Sequence, residues 1–145
     1  MGDNKRFVGM LLKELSDTLE RKSNQFANQE EGLTSSQVRV LLMLNAAEGH
    51  TLSFTQLKEQ LNIAQPTVWG LVKRLNAKGM VVTHDNPHDA RARLVTMTDV
   101  GQKAFETARI YMHQLESKIT AGFDEQELQQ LKNYLQRLID NCNDC

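Results

Sequence analysis

Apolar side chains recur at steps of three and four residues along most of this chain, the spacing that places them on one face of an α-helix. The first series is Val8, Leu12, Leu15 and Leu19, and series of the same kind continue towards the last residues. This pattern predicts six helices, near residues 7–29, 35–47, 54–61, 65–78, 99–120 and 125–141.

The helix ends carry local signals of their own. Thr34–Gln37, Ser53–Gln56 and Asp124–Glu127 each place a capping side chain three residues before a Gln or Glu, the spacing of a capping box. Four glycines follow apolar stretches, where a left-handed residue most easily ends a helix: Gly32, Gly49, Gly79 and Gly122. Helix starts and stops are therefore predicted independently of the apolar period.

Between Gly79 and Thr98 the apolar period changes from helical to alternating. Met80–His84 and Arg93–Met97 both alternate and are interpreted as the two strands of a β-hairpin. The connection, Asp85–Ala92, is rich in turn-forming and charged residues and is expected to be too long for a tight turn. The hairpin is therefore predicted to project a charged wing.

From Ser53 to Met97 the predicted order is helix, turn, helix and wing. In the second helix an inward stripe is predicted at Val68, Leu71, Val72 and Leu75. The opposite face then carries Pro66, Trp69, Gly70, Lys73 and Ala77. An exposed Trp and Lys on a short helix after a tight turn are typical of a helix that enters the major groove of DNA. If this helix stood alone, a solvated surface with one apolar side chain would be the simpler interpretation. The predicted wing that follows it favours DNA binding instead.

Composition and charge fit one mainly α-helical domain. The chain has 145 residues, 40% of them hydrophobic, with a net charge of −1, so its overall charge does not indicate nucleic-acid binding. The charges are uneven, because Trp69–Arg93 has five Lys or Arg against two acids while Asp124–Cys145 has five acids against two bases. No apolar run suggests a membrane span or a signal peptide, and two cysteines fit a reducing compartment, so a cytoplasmic protein is expected.

Four segments carry a family resemblance: Leu33–Val38, Gln65–Val68, Leu71–Gly79 and Asp89–Gly101. They resemble the MarR family of winged-helix transcriptional regulators, whose pattern has "RLxxKG" at the end of the recognition helix, "DxR" in the wing and a Thr-x-x-Gly opening the next helix. The resemblance covers almost the whole chain, and it is the order and spacing of these motifs that makes it specific.

The resemblance implies a homodimeric regulator, usually a repressor, that a small phenolic or lipophilic effector or thiol oxidation releases from an operator in double-stranded DNA. Residues 33–98 would form the winged helix-turn-helix, and residues 1–32 and 99–145 a helical dimerisation region. Asp89 would support Arg91. The DNA-binding residues expected are Gln65, Pro66, Thr67, Trp69, Lys73, Arg74, Arg91 and Arg93.

Trp69-Gly70 departs from the family pattern, which often has Thr or Ser followed by Arg in the middle of this helix. Trp69 either contacts a thymine methyl group or a sugar, or folds back onto the domain. Gly70 lowers helix propensity, so either close approach of the backbone to DNA or close packing within the chain is needed to account for it.

Two further apolar series support a dimer: Phe105, Ala108, Met112, Leu115 and Ile119, then Leu128, Leu131, Leu135, Leu138 and Cys142. Together with the first series they exceed what one small winged domain can cover, which favours a partner copy over packing within one chain.

Regulatory chemistry is only weakly indicated. Cys142 and Cys145 have redox-motif spacing but lie in the tail, so an inert tail is favoured over a redox site. His84 with His88, or His50 with His113, lacks a four-ligand metal pattern. An effector pocket is one interpretation of Met10, Met43, Met112 and Phe26, although such residues are usually core.

No cofactor, metal or catalytic arrangement is predicted, and an enzyme is not expected. The alternative function is a winged-helix module that binds a partner protein and not DNA. Such a module keeps the inward stripe but does not need a basic helix and wing.

Overall fold

The computed structural model describes residues 6–30 and 32–145, without the side chains of 26–30, 90 and 91. Two compact units are distinguished, Met1–Met112 and His113–Cys145. Within the described residues there are six α-helices: α1 Val8–Glu30, α2 Ser35–Ala46, α3 Phe54–Leu61, α4 Gln65–Ala77, α5 Asp99–Ile119 and α6 Glu125–Asn143. All six predicted helices are confirmed, with ends that differ by at most two residues.

The predicted helix ends are also confirmed. Complete capping boxes begin α2, α3 and α6, with backbone N–H groups donating to Thr34 Oγ1 at 3.2 Å, Ser53 Oγ at 3.0 Å and Asp124 Oδ1 at 2.8 Å. All four glycines predicted as helix stops have positive φ. Because these signals act over three or four residues, they favour these helix ends independently of tertiary contacts.

A small antiparallel sheet accompanies the helices, in the order β1, β3, β2. Its strands are β1 Thr51–Ser53, β2 Val81–Asn86 and β3 Asp89–Met97. The sequence analysis missed β1, because three residues are too few to display an alternating pattern. A short 3-10 helix, Glu48–His50, precedes it.

The predicted long connection between the hairpin strands is wrong. Asn86 pairs directly with Asp89, so only Pro87 and His88 lie between the strands. Asn86 Oδ1 accepts a hydrogen bond from the His88 N–H at 2.9 Å and closes this turn. The register shifts between Asp85 and Asn86, which gives β3 additional residues near the tip. The turn-forming residues in the sequence therefore lie mostly within irregular strand.

The core of the first unit lies between the helix-turn-helix and the sheet. The predicted inward stripe of α4 is confirmed, since its four side chains are all buried. They share one cluster with buried side chains from other elements, including Val40, Leu41, Leu44, Leu57, Leu61, Val81 and Val95. Phe105 and Ala108 of α5 also belong to it, so the beginning of the α5 apolar series is used inside this unit.

The start of α5 touches the beginning of the hairpin. Thr98 Oγ1 accepts from the Gly101 N–H at 3.1 Å and donates to the Gly79 carbonyl at 2.6 Å. A Cβ at Gly101 would lie 2.1 Å from the Met80 carbonyl oxygen, a backbone atom that cannot move aside cheaply. Glycine is therefore required there by close approach of α5 to the Met80 carbonyl, just before β2.

Gly101→Ala is expected to lower the free energy of unfolding by about 2 kcal/mol or more, because the added methyl group overpacks against backbone. Urea unfolding at one fixed protein concentration measures this change. Gly9→Ala is the control, since a Cβ there meets no atom within 4 Å. If Gly101→Ala and Gly9→Ala had the same free energy of unfolding, the close contact between Gly101 and the Met80 carbonyl would not be required for stability.

Candidate nucleic-acid interface

The turn between α3 and α4 sets the direction of α4. Asn62 ends α3 in the left-handed conformation, with φ 54°, and its N–H donates to the Lys58 carbonyl at 2.9 Å. Ala64 then begins α4 without a side-chain cap, and Pro66 lies in the first turn. A proline there costs no internal hydrogen bond, because the N–H groups of the first turn have no helical partner.

The predicted outer face of α4 is solvent-exposed. Every predicted contact residue on this helix is exposed: Gln65, Pro66, Thr67, Trp69, Lys73 and Arg74. Since the opposite stripe is buried, the rotation of α4 about its axis is determined by packing. The helix therefore presents a polar and basic surface with one aromatic side chain.

Trp69 lies between the two orientations considered from the sequence. Its ring centroid is 5.5 Å from that of Phe54, at an interplanar angle of 34°, so the indole contacts the start of α3. Its side chain is nevertheless 51% exposed. Trp69 is thus supported on one side and open on the other.

Gly70 is not explained by packing within the chain. A Cβ built at this position has no neighbouring atom within 4 Å, and the residue has ordinary helical geometry. Of the two explanations considered from the sequence, close internal packing is therefore wrong, and backbone approach to a partner remains.

The wing presents one described arginine. Arg93 Nε lies 3.7 Å from Asp85 Oδ1, and its Nη2 donates to Thr83 Oγ1 at 3.3 Å. The side chain is still about half exposed, and a solvated ion pair of this kind is weak. Asp89 begins β3, opposite Asn86. Arg91 lies in β3, but its side chain, and so its predicted support by Asp89, lies outside the described residues.

Lys78 has a structural role that the sequence analysis missed. Its Nζ donates to the Gly32 carbonyl and, at 3.0 Å, to Gln37 Oε1. Gln37 is only 3% exposed, and its side chain also accepts from the Thr34 N–H in the α2 capping box. Lys78 therefore connects the end of α4 to the start of α2. From the sequence, a lysine at the carboxyl end of a helix predicts only a favourable interaction with the helix dipole. Its hydrogen-bond partner Gln37 lies 41 residues away, so the sequence gives no signal for this contact.

The remaining candidates belong to elements other than α4 and the wing. Cys142 and Cys145 are exposed free thiols at the end of α6. Met43 packs against the core, Met10 and Met112 are exposed, and the side chain of Phe26 lies outside the described residues. In the described part of the chain, no three His, Cys, Asp or Glu residues are grouped to hold a metal. None of the described helices combines the length and apolarity needed to cross a membrane.

Comparison with known proteins identifies the class. A family model described as "MarR family" matches residues 31–92, which include α2, α3, α4 and β2. The uncharacterised HTH-type transcriptional regulator YwoH of Bacillus subtilis is 31% identical over 96 residues, covering 66% of this chain and 68% of YwoH. The homoprotocatechuate degradative operon repressor of Escherichia coli is 27% identical over 107 residues, covering 74% of this chain and 71% of the repressor.

The fold is shared with a solved structure. The S. aureus MepR–DNA complex superposes with a TM-score of 0.87 at 21% identity, covering 94% of this chain and 99% of MepR. The chain belongs to the MarR family of winged-helix transcriptional regulators. Both the family and the mainly α-helical winged fold expected from the sequence are thereby confirmed.

Lys78→Met is expected to lower the free energy of unfolding by about 1 kcal/mol, because two hydrogen bonds of a charged donor are lost. Lys73→Met is the control and should change it by less than about 0.5 kcal/mol, as an exposed surface substitution. Urea unfolding at fixed protein concentration compares them. Equal effects would mean that Lys78 is as solvated in solution as Lys73.

Proposed function

We propose that this protein is a sequence-specific regulator of transcription that binds an operator in double-stranded DNA and acts in the cytoplasm as a repressor. The observation that carries the proposal is the outer face of α4, which is exposed and basic while the opposite face is packed into the core. A short helix presented in this way fits the major groove, and a projecting hairpin fits the adjacent minor groove.

The proposed contacts combine two kinds of recognition. Lys73 and Arg74 on α4, with Arg91 and Arg93 on the wing, supply charge to phosphates or to a narrow minor groove. Gln65, Pro66, Thr67 and Trp69 lie at or near the amino end of α4, from which base edges are contacted. The proposed role of Asp89 is to orient the Arg91 guanidinium. The nearly neutral chain can bind DNA because its charge is concentrated locally.

A homodimer is the proposed assembly. In the first unit, Phe7, Val8, Met10, Leu11 and Leu15 expose apolar surface along the start of α1. In the second unit no residue of α6 is buried, and Leu131, Tyr134 and Ile139 are among its exposed apolar side chains. Exposed apolar side chains on each unit favour burial against a second copy. Two linked recognition helices would then contact half-sites about one helical turn of DNA apart.

Release of the DNA by a small phenolic or lipophilic effector is part of the proposal. One relative is named a repressor of an operon for degrading homoprotocatechuate, which is a phenolic acid. Thiol oxidation is the second trigger that the family resemblance implies; Cys142 and Cys145 are exposed thiols, but their place in the tail favours an inert role over a redox site. Screening phenolic acids and oxidants for release of bound operator distinguishes the two triggers.

The alternative function is a module that binds only a partner protein. The next experiment distinguishes this module from a DNA-binding regulator.

The affinity of the protein for duplex DNA selected from a randomised pool should fall by a thousandfold or more between about 50 and 200 mM salt. This follows if four basic side chains in each subunit neutralise about eight phosphates. Lys73→Ala and Arg91→Ala should each weaken binding and reduce the slope with salt. Lys132→Ala on α6 is the charge-matched control and should behave as the parent. A salt-independent affinity, or no selected duplex, would favour the protein-interaction module.

Leu131→Glu is expected to shift the protein from dimer to monomer in sedimentation equilibrium, because it places a carboxylate in an apolar contact. Operator affinity should fall with it, since the second recognition helix is lost. Gln130→Glu adds the same charge to an already polar, exposed position and should remain dimeric. A parent protein that is monomeric at every concentration would contradict the proposed assembly.

A further inference from the structure

Trp69 is supported on one side and exposed on the other, on the outer face of α4. One side of its indole packs against Phe54 at 5.5 Å, while half of the side chain is exposed. Phe54 is itself partly buried and packs against the core at the start of α3. The support of the indole is therefore anchored in the domain, which lowers the ordering cost of its exposed part on binding.

Gly70, the residue after Trp69, has no close neighbour outside its own helix. A Cβ at Gly70 would meet no atom within 4 Å, so nothing inside the described chain requires a glycine there. Glycine in a helix interior lowers helix stability, and its retention is explained if an external group approaches the α4 backbone closely. The group must approach from the outer face, because the buried stripe occupies the other side.

The face of the exposed indole favours one kind of contact. It is matched by apolar atoms, since its one donor, the Nε1–H, lies at the ring edge, whereas phosphates and polar base edges are matched better by the neighbouring Lys73. Among the base edges in the major groove, the only apolar group is the 5-methyl group of thymine. Pro66, one helical turn before Trp69 and also exposed, adds apolar surface on the same side.

We propose that Trp69, supported by Phe54 and followed by Gly70, contacts a thymine methyl group in each half-site and is a specificity-determining residue of this protein. This inference rests on the proposed DNA-binding function. Trp69 makes the contact and Phe54 positions the indole. Gly70, which has no side chain, allows the base pair to approach the backbone of α4.

Replacing single thymines by deoxyuridine tests the contact, since only the methyl group is removed. The probe is the duplex consensus selected by the parent protein, with each thymine of a half-site replaced in turn. The parent should lose about threefold to fivefold in affinity at one thymine, the loss expected for one buried methyl group. Trp69→Ala should show no loss at that thymine and the same losses as the parent elsewhere.

Phe54→Leu tests the positioning role, because it removes the aromatic support and keeps an apolar side chain at the edge of the core. The variant should still bind the consensus but discriminate less between thymine and deoxyuridine at the same position. Thermal unfolding of Phe54→Leu and Trp69→Ala confirms that both are folded at the assay temperature. Undiminished discrimination in a folded Phe54→Leu would overturn the role of Phe54.

Gly70→Ala tests the close approach. The variant should raise the melting temperature by roughly 3 °C through better helix propensity, and lose about tenfold or more in operator affinity through overpacking at the interface. Gln130→Ala, which also raises helix propensity at an exposed polar position outside α4 and the wing, is the control and should retain the parent affinity. Parent affinity in Gly70→Ala would overturn the close approach.

The outcomes separate this inference from the function on which it rests. If the parent selects no duplex, DNA binding itself fails. If the parent selects a consensus in which deoxyuridine is tolerated at every thymine, or if Trp69→Ala selects the same consensus, only the thymine contact is overturned. A uniform loss of affinity in Trp69→Ala, with deoxyuridine discrimination intact, would place the indole against the sugar-phosphate backbone and also overturn it.

Discussion

The burial of one side of α4 is the interaction on which the rest of the site depends. Val68, Val72 and Leu75 are almost completely inaccessible and pack with residues from α2, α3 and the sheet. A helix turns by about 100° per residue, so fixing these positions also fixes which side chains face outward. Rotating α4 by one position would bury Trp69 or Lys73 and expose the stripe. The polar face is therefore a consequence of core packing.

The hairpin is attached to this core by backbone contacts. Thr98 bonds to the Gly79 carbonyl, and the absence of a side chain at Gly101 allows α5 to approach the Met80 carbonyl. Together with the pairing of β1 to β3, these contacts hold the base of the wing. The tip has fewer constraints, because the irregular register near Asp85 and Asn86 interrupts the ladder.

The basic residues of the α4 and wing region fall into two groups. Lys78 bonds to Gln37 and Gly32, and Arg93 contacts Asp85 and Thr83, so both have partners within the chain. Lys73 and Arg74 are exposed on the outer face of α4. Counting basic residues along the sequence does not separate these groups, because a partner distant in sequence decides which charges are already engaged. Lys78 is thereby held within the domain, whereas the ion pair of Arg93 is exposed and weak and leaves its charge available to DNA.

Local signals determined most of the fold. The capping boxes at Thr34, Ser53 and Asp124 and the positive-φ glycines each act within a few residues, and all were predictable from sequence. The inward and outward faces of α4 were also predictable, because the helical period identifies the buried face without identifying the residues that pack against it. The tertiary structure alone decided the pairing of Thr51 with Thr96, the two-residue turn at Pro87 and His88, and the contacts of Lys78 with Gln37 and of Trp69 with Phe54. Except for the turn, which depends on strand register, these partners lie many residues apart, so only chain packing brings them together.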